Sequence, residues 1–182
     1  MRDIVQDGDP VLRTTAEPVS DSLFGSRELF GMLEDMKESL DSEKDGVALA
    51  APQVAIGKRI FIVRYDRMEE REHKEDAEAE DGVRVGVYIN PSILHASKRQ
   101  NDMPEGCLSV RGRYGTTHRY EKATVRAQDE HGTWFTRGAG GILAQAFQHE
   151  IDHLDGILFT DHAKEVHEQK PADTQHHDAD QP

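Results

Sequence analysis

The chain has one cysteine, Cys107, in 182 residues. A single thiol excludes any intramolecular disulfide and any closed, cysteine-rich structural zinc site, and it is expected to stay reduced. Long apolar runs are missing too: no stretch approaches the roughly 18 residues needed to span a bilayer. The opening MRDIVQDGDP has neither the basic start nor the apolar core of an export signal. A cytoplasmic protein with no membrane partner is therefore expected. Positive charge is in short supply, with 22 Lys and Arg against 35 Asp and Glu and a formal net charge of -13. That balance argues against stable binding to a nucleic-acid backbone or an anionic membrane. No internal repeat is evident, and the length suits one domain burying roughly 70% of the unfolded chain's surface.

The acidity is concentrated in two places. Asp66 to Asp81 (DRMEEREHKEDAEAED) holds nine acids against three bases, and Lys164 to Pro182 holds five against two. Such runs favour solvated excursions over packed structure. Residues 66–83 are expected to be an acidic insertion loop between strands. Residues 164–182 are expected to be a disordered tail, with His167, His176 and His177 in it. Residues 1–163 then make the folded domain, whose body is only mildly acidic.

Within that body the N-terminal part reads as helical. Asp9 followed by Pro10 resembles a cap and first turn of a short helix through Arg13. From Ser26 to about Leu40, the residues Leu29, Phe30, Leu33, Met36 and Leu40 recur every three or four positions, the stripe of a helix lying on a core. VALAAPQ is too rich in alanine and too close to proline to predict either a strand or a helix. Arg59 to Tyr65, Arg84 to Asn90, Ser92 to Ala96, Ala123 to Gln128 and Thr133 to Thr136 read as short strands, mostly antiparallel by their short connections. A last helix is expected from about Gly141 to Leu154, with Asp155-Gly156 as its stop. The fold class is α+β: short antiparallel strands in small sheets around that last helix, with an N-terminal helix pair.

The last helix carries QHEIDH, Gln148 to His153. Side chains at i and i+4 lie one turn apart on the same face, so the imidazoles of His149 and His153 can converge on one ion. Glu150 falls on the stripe made by Leu143, Ala146, Phe147 and Leu154, where an uncompensated carboxylate is costly. A bound cation with a polarised water is one compensation. The alternatives are pairing of Glu150 with Arg111 or Arg113, and histidines that merely donate to carbonyls. Cys107, in the turn-prone EGCLS, is the candidate third ligand. One thiolate and two imidazoles leave a tetrahedral position open, as a catalytic site requires. Glu150 could then act as general base towards a water whose pKa the ion has lowered, and later as general acid.

Three segments, GVALAAPQ (Gly46 to Gln53), EGCLS (Glu105 to Ser109) and QHEIDHLDG (Gln148 to Gly156), resemble in order and spacing the three signature motifs of bacterial peptide deformylases. The likeness runs over about residues 1–163. It implies hydrolysis of the N-formyl group from formyl-methionyl peptides and nascent chains, releasing formate, with at most a transient encounter with the ribosome. It implies one divalent ion held by Cys107, His149 and His153, natively ferrous iron, with zinc, nickel or cobalt as replacements. It assigns the Gln53 amide and the Leu108 backbone N–H to the formyl oxygen, and Glu150 to the proton relay. Val47, Leu143, Ala146 and Phe147 are the matching candidates for the methionine pocket, and Glu105 and Gly106 would lie along an extended peptide backbone.

Two departures qualify the match. Ala48 stands where the first motif commonly has a second glycine, placing a methyl beside the substrate backbone; activity is expected to survive it. In VRGRYG, after EGCLS, none of Arg111, Arg113 and Tyr114 aligns with a family arginine that approaches substrate. The rival readings are a catalytically silent deformylase-like metal-binding module, which would need neither Glu150 nor Gln53, and a zinc endopeptidase, which explains neither GVALAAPQ nor EGCLS.

Overall fold

The computed structural model describes residues 1–72 and 85–168. It is an α+β arrangement of two antiparallel sheets and a few helices. One sheet contains β1 (Ala48–Ala50), β2 (Ile60–Arg64), β3 (Val85–Ala96), β6 (Lys122–Gln128) and β7 (Trp134–Gly140), in the order β1-β2-β3-β6-β7. The other contains β4 (Gln100–Gly106), β5 (Arg113–Tyr120) and β8 (Lys164–Glu168), in the order β4-β5-β8. The helices are α1 (Arg27–Ser42), α2 (Tyr65–Glu72) and α3 (Gly141–Leu154).

The larger sheet is packed on both faces, and the alternation of its strands divides the core. Ile60, Ile62 and Leu49 face α1, where they meet Leu29, Leu33, Met36 and Leu40. Phe61, Val63, Ala48 and Ala50 face α3, where they meet Leu143, Ala146, Phe147, Ile151 and Leu154. Period-two residues thus serve two helices at once. Phe61 stacks on Tyr88 with ring centroids 4.5 Å apart, and Phe147 closes on Tyr88 at 5.1 Å. Small alanines on β1 let α3 come close to the sheet.

Local chemistry sets the helix ends. The Ser26 hydroxyl accepts the Leu29 N–H at 3.1 Å and caps α1. At its other end, Arg67 of α2 donates to the carbonyls of Leu40, Glu43 and Gly46 at 3.0, 2.7 and 2.6 Å, satisfying the last turn. After α3, Gly156 has φ +76, and a Cβ there would lie 2.9 Å from the Arg13 carbonyl, so the turn needs glycine.

Several expectations change. Of the expected N-terminal helix pair, the short member is a 3-10 turn, Pro10–Arg13, capped by Asp9 as expected, and α1 is the one α-helix before β1 among the described residues. Phe30, expected on the buried stripe of α1, is exposed, because the stripe follows Leu29, Leu33, Met36 and Leu40. VALAAPQ does take regular structure. Ala48–Ala50 pairs with Phe61–Val63, and Ala51–Val54 makes a 3-10 turn whose early proline needs no N–H donor. The two strands expected on either side of Asn90-Pro91 are one, β3, bulged where Asn90 takes φ +51. The Asn90 side chain fastens the bulge to Val19 and Gln128. The acidic insertion begins as helix, since α2 runs to Glu72; its remainder lies outside the described residues. The tail begins as strand: Lys164–Glu168 pairs with β5, whose edge has unpaired backbone groups to offer. His176 and His177 lie outside the described residues.

Candidate active site and metal centre

The first and second motifs meet where Gln53 approaches Cys107 and Ser109, and residues of both border one cavity together with residues of α3. Gln53 sits in the 3-10 turn after β1, 2% exposed. Its Oε1 accepts the Ala50 N–H at 2.8 Å, which turns its Nε2 towards the Ser109 hydroxyl at 3.2 Å and the Cys107 Sγ at 3.5 Å. Cys107 follows the end of β4 and opens a turn closed by the Val110 N–H, which donates to the Cys107 carbonyl at 3.0 Å. The Ser109 N–H points at the same sulfur from 3.4 Å. Leu108, inside the turn, has no acceptor for its N–H among the described residues.

From α3, His149 and His153 face this sulfur one helical turn apart. The Cys107 Sγ is 3.1 Å from His153 Nε2, and the ligand atoms of Cys107, His149 and His153 all lie within 4.8 Å of one another. Donor atoms with this spread can share one first-row ion, with bonds of about 2.3 Å to sulfur and about 2.0 Å to nitrogen. His149 Nδ1 is occupied by the Glu105 carboxylate, which leaves Nε2 as the nitrogen for an ion. His153 Nδ1 and Glu150 Oε2 are buried polar atoms without a partner among the described residues. The donor set and the unpaired Glu150 oxygen both suit a cation.

The electrostatics without an ion point the same way. Burial pushes the Glu150 carboxyl up to about 7, although the field of His149 opposes it. His149 stands well above the usual imidazole range: burial lowers it, but hydrogen bonds to Cys107 and Glu105 outweigh that. His153 is held well below the range by burial and by its neighbour His149. Without an ion, the positive charge of His149, held by its contacts to Cys107 and Glu105, sits where a cation would.

Glu105 borders the cavity beside Gly106, where an extended substrate is expected to lie. Its carboxylate turns inwards, 6% exposed, and accepts from Arg119 Nε at 3.0 Å and NH2 at 2.7 Å. Arg119 also donates to Asp152 on α3 at 2.6 Å. Burial would raise Glu105, but hydrogen bonds from His149 and Arg119 hold it well below the usual carboxylate range. Arg119 thus clamps β4 to α3 and, through Glu105, sets the orientation of His149. The sequence did not reveal it, because the β4–β5 pairing that puts Arg119 and Glu105 on the same face of the smaller sheet was not legible. The alternative partners for Glu150 are engaged elsewhere: Arg111 pairs with Glu43 at 2.5 Å and Arg113 with Asp7 at 2.6 Å.

A cavity of about 600 Å³ opens beside the three ligands. Val47, Ala48, Gln53, Glu105, Gly106, Leu108, Ala146, His149 and Glu150 border it. Leu143 and Phe147 do not: they are buried against Phe61 and Tyr88 on the sheet side of α3. At about 100° per residue they fall on the opposite flank from His149. Ile142 and Gln145 take their place, and counting back from His149 by four and seven would have found them. Tyr114 lies over Gly106, where a Cβ would come within 2.7 Å of its ring.

Residues 1–169 match the polypeptide deformylase family. The chain is 42% identical over 159 residues to a peptide deformylase of Acidobacterium capsulatum, covering 87% of this chain and 84% of that one. It is 40% identical to peptide deformylase 1 of Clostridium perfringens, covering 89% and 97%. Among solved structures it resembles a class I type b peptide deformylase from Acinetobacter baumannii bound to Met-Ala-Ser, with TM-score 0.75, 32% identity and coverage of 88% and 98%. The actinonin-bound form of the same protein gives TM-score 0.76 at 32% identity, covering 90% and 99%. The chain belongs to the polypeptide deformylase family, hydrolases that remove the formyl group from N-terminal methionine.

Proposed function

We propose that this chain deformylates newly made proteins with one divalent ion held by Cys107, His149 and His153, natively ferrous iron, with zinc, nickel or cobalt able to replace it. Mixed sulfur and nitrogen ligands suit all four. Bound there, such an ion supplies Lewis acidity, lowering the pKa of a water from about 15.7 towards about 7.

The chain's own groups do the rest. The Gln53 Nε2 and the Leu108 N–H donate to the formyl oxygen, whose negative charge grows as the carbon becomes tetrahedral. Glu150 takes a proton from the attacking water and delivers it to the methionine nitrogen as the C–N bond breaks, so formate and a free amine leave. Val47, Ile142 and Ala146 offer apolar surface to the methionine side chain. Gly106 and the start of β1 offer backbone to an extended peptide. Ala48, 7% exposed and packed towards α3, has its methyl accommodated by the core.

The observation that carries this reading is a buried Glu150 oxygen, without a partner among the described residues, beside three converging ligand atoms. Glu150→Ala should keep its metal yet lose formate release from formyl-Met-Ala-Ser, whereas Cys107→Ala should lose both. A Glu150 variant turning over at the wild-type rate would remove the general-base role and favour a silent metal-binding module. Among the described residues no helix is long and apolar enough to cross a membrane. Nascent chains in the cytoplasm, met transiently near the ribosome, are the proposed substrates.

A further inference from the structure

We infer that Gln6 is a positioning residue for hydrolysis, acting through the turn that presents the Leu108 N–H; the inference rests on that N–H being a donor to the formyl oxygen. The N-terminal segment passes outside the cavity and touches both loops that supply donors. The Val5 N–H donates to the Gln53 carbonyl at 2.9 Å, and the Asp7 N–H to the Ser109 carbonyl at 2.7 Å. Between them, Gln6 Nε2 donates to the Leu108 carbonyl at 3.0 Å and to the Ile4 carbonyl at 3.2 Å. Gln6 Oε1 accepts the Arg111 N–H at 3.5 Å, and the Asp7 carboxylate holds Arg113 at 2.6 Å.

The turn explains why this brace matters. The Val110 N–H fixes the Cys107 carbonyl, and in a trans peptide the N–H of Leu108 points the opposite way. The Leu108 carbonyl belongs to the next peptide, whose Ser109 N–H points at the Cys107 sulfur; Gln6 holds that carbonyl, and Asp7 the Ser109 carbonyl, from outside the turn. Without Gln6 the Leu108–Ser109 peptide is left with the Ser109 N–H contact to sulfur and can rock, carrying with it the adjoining peptide whose N–H is that of Leu108. A donor preorganised for the transition state then loses alignment, while the cavity that binds the ground state keeps its walls. Gln6 is exposed, so replacing it opens no void.

The test compares the holoenzyme with Gln6→Glu, which keeps the shape but puts an acceptor where the donor was, and with Gln6→Met, which removes both functions without adding charge. With formyl-Met-Ala-Ser, kcat should fall by about fivefold in each, the equivalent of one lost hydrogen bond. KM and bound metal should not change. The same two substitutions are then made in enzyme whose Leu108 is replaced by its α-hydroxy acid, which deletes that N–H and leaves the Cys107 carbonyl as a weaker acceptor for Val110. There the Gln6 effect should vanish. Unchanged kcat in both Gln6 variants, a rise in KM instead, or an equal loss in both backgrounds would overturn the inference alone. An α-hydroxy acid enzyme with wild-type kcat would remove the Leu108 donor reading first, and the role of Gln6 with it.

Discussion

Glu150 is 3% exposed, and charging it inside α3 costs enough to raise its pKa from 4.5 to about 7 without an ion. A carboxyl raised on folding contributes stability that is fully present below about 4.5 and is lost as pH rises through about 7. Metal-free Glu150→Gln should therefore match the wild type at pH 4 and exceed it at pH 8 by about 3 kcal/mol. Urea unfolding of the apo forms at both pH values measures this. Equal stabilities at pH 8 would mean that the buried carboxylate carries no such cost. The cost is tolerable because a cation would repay it. Glu105 shows the opposite case, a buried carboxylate kept charged by Arg119 and His149. Both residues border the same cavity, and what separates their roles is the company each keeps. Sequence spacing singled out Glu150 beside His149, but the inward turn of Glu105 came only from the strand register.

At the scale of the element, α3 does two jobs on two flanks. Its sheet side, with Leu143, Phe147, Ile151 and Leu154, belongs to the core, and its cavity side carries Ile142, Gln145, His149 and Glu150. Phe147→Ala should cost about 3–5 kcal/mol of stability, as truncations of buried aromatics do. Ile142→Ala should leave stability nearly unchanged and instead raise KM for formyl-methionyl peptides. Thermal melts and steady-state kinetics on the two variants separate the flanks; a KM effect in Phe147→Ala alone would reverse the assignment. The helix itself, its glycine stop and the convergence of its histidines were legible from periodicity. Which apolar residue faced which neighbour was not, because a stripe of Leu143, Ala146 and Phe147 fits a pocket and a core equally well. The strand at Ala48–Ala50 was hidden for a related reason: alanine has little strand preference, and pairing with β2 supplies what propensity does not.

Across the whole molecule, the smaller sheet closes the mouth of the site. β8 pairs Glu168 with Arg113 and His167 with Tyr114, and Arg113 and Tyr114 border the cavity. Ending the chain after Ala163 would strip the edge of β5, unpin Tyr114 from its neighbour and expose unpaired strand groups. Such a truncation should lower the melting temperature and promote aggregation, whereas ending it after Glu168 should leave kcat and melting temperature unchanged. Light scattering and melts on the two truncations decide between them. If the shorter chain behaves like the full one, β8 is dispensable and the domain ends where charge alone would place it.

The sequence by itself determined the chemistry: one thiol, two imidazoles at helical spacing, a carboxylate between them and three motifs in family order. These are local properties, fixed by residue type and by the 3.6-residue turn. Only the tertiary structure decided who orients whom. The clamp from Asp152 through Arg119 and Glu105 to His149, the brace from Gln6 to the Leu108 turn and the exchange of Phe147 for Ile142 in the cavity all join residues far apart in the chain. Their partners are chosen by strand register and helix rotation, which long-range packing sets and no short stretch of sequence contains.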